Sequence, residues 1–254
     1  MPSRELTAAI EAAQAAAEVI RSFYRKHPRT RIKPDDSPVT EADEAAEEVI
    51  KASLARHFPG YGFYGEESGQ HAMSAESIWL VDPIDGTKSF VRESPFFSTQ
   101  IGLMRAGELV LGVSSAPVYD EIMWAEHGAG AFLNKERVRV SDIAALREAF
   151  VSTGNMKSLT RAPRWERFGE LVRSVARIRG YGDFAHYHLL ARGSLDVVIE
   201  TDIVIYDIAA LTVIVREAGG RFTDLEGAPI GLASNSVLAS NGPLHAAVLA
   251  ALRP

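Results

Sequence analysis

Helical and strand-like segments are interleaved along the whole of this 254-residue sequence, which predicts a mixed α/β fold built in layers. Apolar residues recur at helical spacing in some segments and in short strand-like runs in others. Turn signals separate these segments, and the sequence contains no internal repeat, low-complexity tract or flexible linker. The length suits one large domain. Two packed lobes, about 1–140 and 141–254, are the alternative, and the weakest boundary falls at 137–149.

In chain order, Leu6, Ile10, Ala13, Ala17 and Ile20 line one face of a helix over about 3–26. The stretch 28–38 is basic, then acidic and turn-rich, and reads as an exposed loop. Thr40-Glu41-Ala42-Asp43 has capping-box-like spacing and opens a second helix, which Phe58-Pro59-Gly60 ends. Strands are expected over 62–64, 78–81, 97–103, 109–115, 121–125 and 150–152. A helix over 164–175, a strand near Arg177, a helix over 184–191 and a strand over 195–200 follow. The segment 207–218 has helical periodicity and stops at Gly219-Gly220; a strand over 236–239 and a helix over 243–252 close the sequence.

Composition narrows the chemistry. With 46% hydrophobic and 24% charged residues the chain reads as an ordinary soluble globular protein. The absence of cysteine excludes disulfides, thiolate nucleophiles and thiolate metal sites together. Any metal is therefore held by Asp, Glu, His or backbone oxygen, which favours hard cations such as Mg²⁺. A net charge of -6 argues against a nucleic-acid partner. No secretory signal or membrane span is expected, so the expected location is cytoplasmic.

The segment Asp82-Pro83-Ile84-Asp85-Gly86-Thr87 follows an apolar strand. Pro83 stiffens the turn between two acids, and Gly86 lets the backbone approach a ligand closely. From Thr87 a short polar stretch can present helix-terminal N–H groups to an anion. Two carboxylates this close repel unless a cation or proton intervenes, and a shared metal pair would relieve that while supplying catalytic charge. The competing reading is an acidic turn with both acids as local caps. Three other acidic clusters carry the same ambiguity. Glu66 and Glu67 follow a short apolar segment, with Glu66 a candidate for the metal and Glu67 for orienting the attacking water. Asp207 follows 203–206, and Asp43 lies beside Thr40. Each alone is a turn or a helix cap; jointly, at element ends of an α/β fold, they point to one ligand-binding edge.

At this point the chain resembles the inositol monophosphatase-like, lithium-sensitive metal phosphatases. The matching stretches are Ser37-Pro38-Val39-Thr40-Glu41-Ala42-Asp43, Gly65-Glu66-Glu67, Trp79 through Thr87, and Asp207-Ile208-Ala209-Ala210 with Glu217-Ala218-Gly219-Gly220. The resemblance implies a layered αβαβα sandwich forming a single catalytic domain. It implies two or three Mg²⁺ held by Glu66, Asp82, the Ile84 carbonyl, Asp85 and Asp207. It further implies that Asp85, Gly86 and Thr87 bind phosphate, that Asp43, Glu67 and Thr87 activate water, and that the chain forms a homodimer. Hydrolysis of a small phosphorylated metabolite would be direct and in line, without a phosphoenzyme, and inhibited by Li⁺.

The stretch from Gly86 to Arg92, and Arg179-Gly180-Tyr181-Gly182-Asp183-Phe184, look like the histidinol-phosphatase branch more than the inositol branch. Arg179, Asp183 and Glu200 are then candidate substrate contacts, the two acids facing a cationic amine or imidazolium; surface or capping acids are the competing reading. Glu200 matches a sugar-contacting acid of inositol enzymes equally well and does not discriminate between the branches. Two residues depart from that branch: Glu93 stands where glycine is usual, and Tyr206 replaces a common tryptophan. An inositol or broad-specificity sugar or nucleotide phosphatase is the runner-up, and a non-catalytic metal- or RNA-associated regulator is the reading from another class. His186 and His188, two apart on a helix, are expected in the core or at the surface rather than on a metal. Lys33, Lys88 and Arg92 are read as solvated loop charges unless they assist phosphate.

Overall fold

Helix α1 (Arg4–Phe23) is capped by Ser3, whose hydroxyl accepts from the Leu6 amide, and it buries Leu6, Ala9, Ala13 and Ile20 on one face. The computed structural model describes residues 2–34, 36–161 and 164–253. After α1 come β1 (Thr30–Ile32) and β2 (Pro38–Thr40), which pair antiparallel where a plain loop was expected. Three-residue strands are too short to leave a period-two pattern. Helix α2 (Glu41–His57) follows with Thr40 as its cap, as the spacing predicted, and packs along α1.

The next stretch carries β3 (Gly62–Gly65), β4 (Gly69–His71), β5 (Ser77–Asp85), α3 (Thr87–Val91), β6 (Ser98–Arg105), β7 (Glu108–Ala116), β8 (Glu121–Glu126), β9 (Gly130–Leu133) and β10 (Glu136–Val138). Among the described residues these strands form one sheet in the order β10-β9-β8-β7-β6-β5-β3-β4, antiparallel except for the β3–β5 pair. Beyond it run β11 (Phe150–Thr153), α4 (Met156–Leu159), α5 (Trp165–Ser174), β12 (Arg177–Arg179), α6 (Asp183–Ala191), β13 (Val197–Thr201), α7 (Ile205–Glu217), β14 (Arg221–Thr223), β15 (Ser236–Ser240) and α8 (His245–Ala251). Their strands form a second sheet, β12-β11-β13-β15-β14. Strands β4, β9, β10 and β14, each three or four residues long, escaped the sequence reading for the same reason as β1 and β2.

Three apolar clusters set the layers. Trp79 and Val81 of β5 point towards α1 and α2, where they join Leu6, Ile50 and Leu103. Ile78 and Leu80 point the opposite way, into a core shared with Tyr187, Leu211 and Val198. A strand buried on both faces reads as an unbroken apolar run, which is why β5 was legible. Val151, Phe168, Val197 and Val248 fill the outer face of the second sheet against α5 and α8. The order is therefore α1/α2, large sheet, α6/α7, small sheet, α5/α8: the layered αβαβα sandwich that the family resemblance implied.

Helix α7 follows the 137–149 segment in sequence yet packs on β5 to β9 of the large sheet. Two glycines permit the approach. A Cβ at Gly102 would lie 2.7 Å from Ala209 Cβ, and one at Gly112 would lie 2.2 Å from the Ala210 carbonyl oxygen. Neither separation is tolerable for a carbon atom, so helix and sheet meet without an intervening layer of side chains.

Candidate active site

Strand β5 runs through Asp85 rather than yielding to a loop after Asp82, because a register shift between the two acids accommodates Pro83 within the pairing to β6. The Thr99 hydroxyl donates to the Pro83 carbonyl at 2.8 Å, and the Ile84 amide donates to Asp82 Oδ1 at 2.9 Å. Gly86 then turns the chain into α3 with φ of 92°, and a Cβ there would lie 2.7 Å from the Phe96 carbonyl oxygen. Both the conformation and the crowding require glycine. Thr87 opens α3, and its hydroxyl lies 3.0 Å from Asp43 Oδ1 and 3.0 Å from the Ile84 carbonyl oxygen.

Asp43 does double duty. As the third residue of α2 it completes the capping box, its Oδ2 accepting from the Thr40 amide at 2.8 Å and the Thr40 hydroxyl at 2.6 Å. Its other oxygen meets Thr87, so one fully buried carboxylate both caps α2 and reaches the Asp82–Thr87 segment. One helical turn later, buried Glu47 accepts the Glu67 and Ser68 amides at 2.9 and 2.7 Å and so pins the turn that carries Glu66 and Glu67. Sequence reasoning missed Glu47. Its i+4 spacing from Asp43 on a capped helix was the available signal.

Asp207 repeats the Asp43 arrangement at the third position of α7, where it accepts from the Val204 amide at 2.8 Å. The helix begins two residues before the expected start, so Asp207 sits inside the first turn rather than at its edge. Flat packing of α7 against β6 and β7 brings it to the strand acids. Burial, then repulsion from Glu66, Asp85 and Asp207, pushes the Asp82 carboxyl far above the usual range. Burial, then Asp183, Asp207, Glu200 and Glu66, does the same to Asp85. Asp207 is pushed up to about 7, chiefly by burial with Glu66 and Glu200 adding to it, although its bond from Val204 opposes the shift. Burial foremost also raises Glu67, to about 7.

These acids are short of positive charge. Lys33 supplies some: its Nζ lies 2.8 Å from both Glu66 Oε1 and Glu67 Oε1. Burial works against the charged ammonium, but the two carboxylate hydrogen bonds overcome this and raise its pKa. Lys33 is thus no solvated loop charge; it is largely buried. Among the described residues no three Asp, Glu or His groups are gathered as a ready metal cage. The donor set nevertheless fits a hard cation. It is all oxygen, mutually repelling and mostly buried, and it already draws one ammonium.

A sequence model of the inositol monophosphatase family matches residues 1–254. The chain belongs to the inositol monophosphatase family. That is a family of metal-dependent phosphatases, and the chain is a phosphoric monoester hydrolase. It is 40% identical to a histidinol-phosphatase of Mycobacterium tuberculosis over 99% of both chains, and 34% identical to an inositol-1-monophosphatase of Mesorhizobium japonicum over 94% of both. Its fold superposes on the extragenic suppressor protein SuhB of Bartonella henselae with a TM-score of 0.90 at 30% identity, covering 99% of each chain.

Where this family member varies, the structure gives reasons. Glu93 has φ of 58°, a left-handed conformation that glycine adopts more readily. Tyr206 packs edge-on against Tyr64 with ring centroids 5.4 Å apart. Glu200 is neither a surface acid nor a cap: it is buried, and its Oε2 accepts from the Tyr187 hydroxyl at 2.6 Å and lies 3.2 Å from His186 Nε2. The other nitrogen of His186 lies 3.2 Å from the Ser152 hydroxyl. His186 and His188 are both core residues, as expected. Asp183 opens α6 with φ of 45° and is raised to about 6, by burial first and then by Glu200. Asp183 and Glu200 both help push the Asp85 carboxyl upward, so the pair lies within electrostatic reach of the strand acids. Arg179 stands apart: it ends β12, is exposed, and donates to the Ile178 carbonyl at 2.7 Å. Lys88 and Arg92 are exposed, as read from the sequence. No described helix is long and apolar enough to cross a membrane.

Proposed function

We propose that this enzyme hydrolyses histidinol phosphate with Mg²⁺, using two or three ions held by Glu66, Asp82, the Ile84 carbonyl, Asp85 and Asp207. The observation that carries the substrate assignment is the acid pair Asp183 and Glu200 within electrostatic reach of Asp85, which suits a substrate bearing a cationic amine or imidazolium. The histidinol-phosphatase relative at 40% identity supports it. Bound ions would lower the pKa of an attacking water and offset charge on the phosphoryl oxygens.

The chain's own groups handle position and protons. Asp85, Gly86 and Thr87 bind the phosphate, with the Thr87 and Lys88 amides at the start of α3, where no preceding turn offers them acceptors. The Thr87 hydroxyl, held on Asp43, accepts a proton from the attacking water and passes its own to that carboxylate. Glu67, with a pKa near neutrality, is the second acceptor and orients the water. The water oxygen bonds to phosphorus as the P–O ester bond breaks, and the proton taken up by Asp43 is returned through solvent to the leaving oxygen, which departs as the alcohol. Arg179 contributes at the pocket rim when substrate is present.

Turnover of histidinol phosphate, inositol 1-phosphate and adenosine 3',5'-bisphosphate with Mg²⁺ tests the assignment. Histidinol phosphate is expected to lead, and a tenfold or greater preference for the inositol ester would overturn it. The second reading, an inositol phosphatase, draws on the Mesorhizobium relative. A cytoplasmic homodimer of single-domain subunits inhibited by Li⁺ completes the proposal; light scattering and Li⁺ titration of turnover test the assembly and the inhibition.

A further inference from the structure

One face of the large sheet carries a stripe that does not belong in a core. Asp82, Gln100 and Ser114 are successive cross-strand partners on β5, β6 and β7, so their side chains share a face. Along the same face Leu80, Gly102 and Gly112 meet apolar packing or α7. Gln100, Ser98 and Ser114 are fully buried, and His188 nearly so. Polar groups in such a place cost stability unless their bonds are made, about 1–3 kcal/mol for each group left unmatched.

The bonds that are made have a direction. Gln100 Nε2 lies 2.7 Å from Ser98 Oγ and 3.0 Å from Ser114 Oγ, so its two amide hydrogens go to two hydroxyl oxygens. Each serine then has its own proton to give. Ser98 faces Asp85 Oδ2 at 3.4 Å, a long contact, but the two residues are also direct partners in the β5–β6 register. Ser114 faces His188 Nε2 at 2.8 Å. With that hydroxyl as donor, Nε2 accepts and the imidazole proton sits on Nδ1, which has no hydrogen-bond partner among the described residues and lies 3.6 Å from Glu121 Oε2. The reverse amide orientation would strand two amide hydrogens instead of the one carbonyl oxygen that lacks a partner among the described residues. It would also turn the Ser98 proton away from Asp85.

We propose that Gln100 is a positioning residue for Asp85, acting through Ser98 on Oδ2 and anchored on its other side through Ser114 to His188. It touches neither substrate nor cation. Its effect is to hold the rotation of one carboxylate that would otherwise be turned by repulsion from the neighbouring acids. This rests on the reading that Asp85 holds a cation.

The test uses Gln100→Leu, Ser98→Ala, their double variant and Asp85→Asn, each measured for Mg²⁺ affinity by calorimetry on metal-free protein, for thermal unfolding without metal, and for kcat and KM. Gln100→Leu and Ser98→Ala are each expected to weaken Mg²⁺ binding about tenfold, the lower end for groups that orient a metal ligand from behind. Because they act in series, the double variant is expected to be no weaker than the worse single one. The fall in turnover should lie in kcat rather than KM. Wild-type Mg²⁺ affinity in a folded Gln100→Leu, or effects that multiply in the double variant, would overturn the proposal. Should Gln100→Leu fail to fold, Ser98→Ala decides, since it removes one hydroxyl: unchanged affinity overturns, and weakened affinity with unchanged KM supports. Unchanged affinity in Asp85→Asn would bring down the cation reading and this proposal with it. Weakening in Asp85→Asn alone would bring down only the proposal.

Discussion

Around Asp82 and Asp85 carboxylates face carboxylates, whereas at Glu200 a carboxylate faces a phenol and an imidazole. In the first region burial and repulsion push every resolved shift upward, and the described protein offers only the Lys33 ammonium in return. In the second, Tyr187 and His186 both hold Oε2, and the acid is accommodated without outside help. The first region is under tension that a cation would relieve. The second has its own hydrogen-bond donors, while Glu200 still raises the neighbouring Asp183, and on the proposed function it serves discrimination. On that same proposal, chemistry common to the family belongs to the former and choice of ester to the latter.

The largest expected effect comes from breaking the first region. Asp85→Asn should lower kcat/KM on every ester by about a hundredfold or more, exceeding the 10- to 100-fold typical of groups one step from a metal. Glu200→Gln should instead act selectively. Loss of a charged hydrogen bond of about 1.5–3 kcal/mol predicts a fall of roughly 10- to 150-fold in kcat/KM for histidinol phosphate, with much less change for inositol 1-phosphate. A uniform fall across both esters would erase the division between the regions.

A third expectation concerns stability. Glu67 and Asp207, raised to about 7, and Asp183, raised to about 6, bind protons in the folded chain at pH values where the unfolded chain has released them. Their contribution is therefore full below the ordinary carboxylate range near pH 4 and is lost as pH rises through about 6 to 7. The Tm of metal-free protein should fall across that window, and saturating Mg²⁺ should flatten the fall; a Tm rising with pH would contradict the crowding of acids. The smallest effect belongs to Thr40→Ala. Removing the cap should cost about 1 kcal/mol in a denaturation experiment and lower turnover a few-fold, since Asp43 keeps its amide bond but loses a hydroxyl.

How legible these regions were in the sequence follows the same division. The acids on β5, α2 and α7 were readable because each sits at an element end flanked by an apolar run or a capping pattern. The αβαβα layering came through the family resemblance, and β5 and α7 were visible because their burial on both faces leaves long apolar stretches. Glu47 left only its spacing from Asp43 as a signal, and the depth of Glu200 and the engagement of Lys33 left none, because each role depends on what a distant element brings opposite: the Glu67 turn, α6, and the Glu66–Glu67 pair. The short strands were lost because three residues carry no period. Arg179, singled out by resemblance, sits at an exposed strand end bonded to its neighbour's carbonyl.

Gly102 and Gly112 bear on more than packing. With nothing larger than the Ala209 methyl between helix and sheet, the thickness of that junction is set by glycine backbone against that methyl and the Ala210 backbone, a contact with little room to adjust. The separation of the α7 acid from the strand acids is gauged by that contact, which lies within one helical turn of Asp207. A lineage can redraw the α6 wall residue by residue and acquire a new ester while this gauge keeps the ionic centre at constant width. A single methyl group at either glycine would alter the width for every substrate at once.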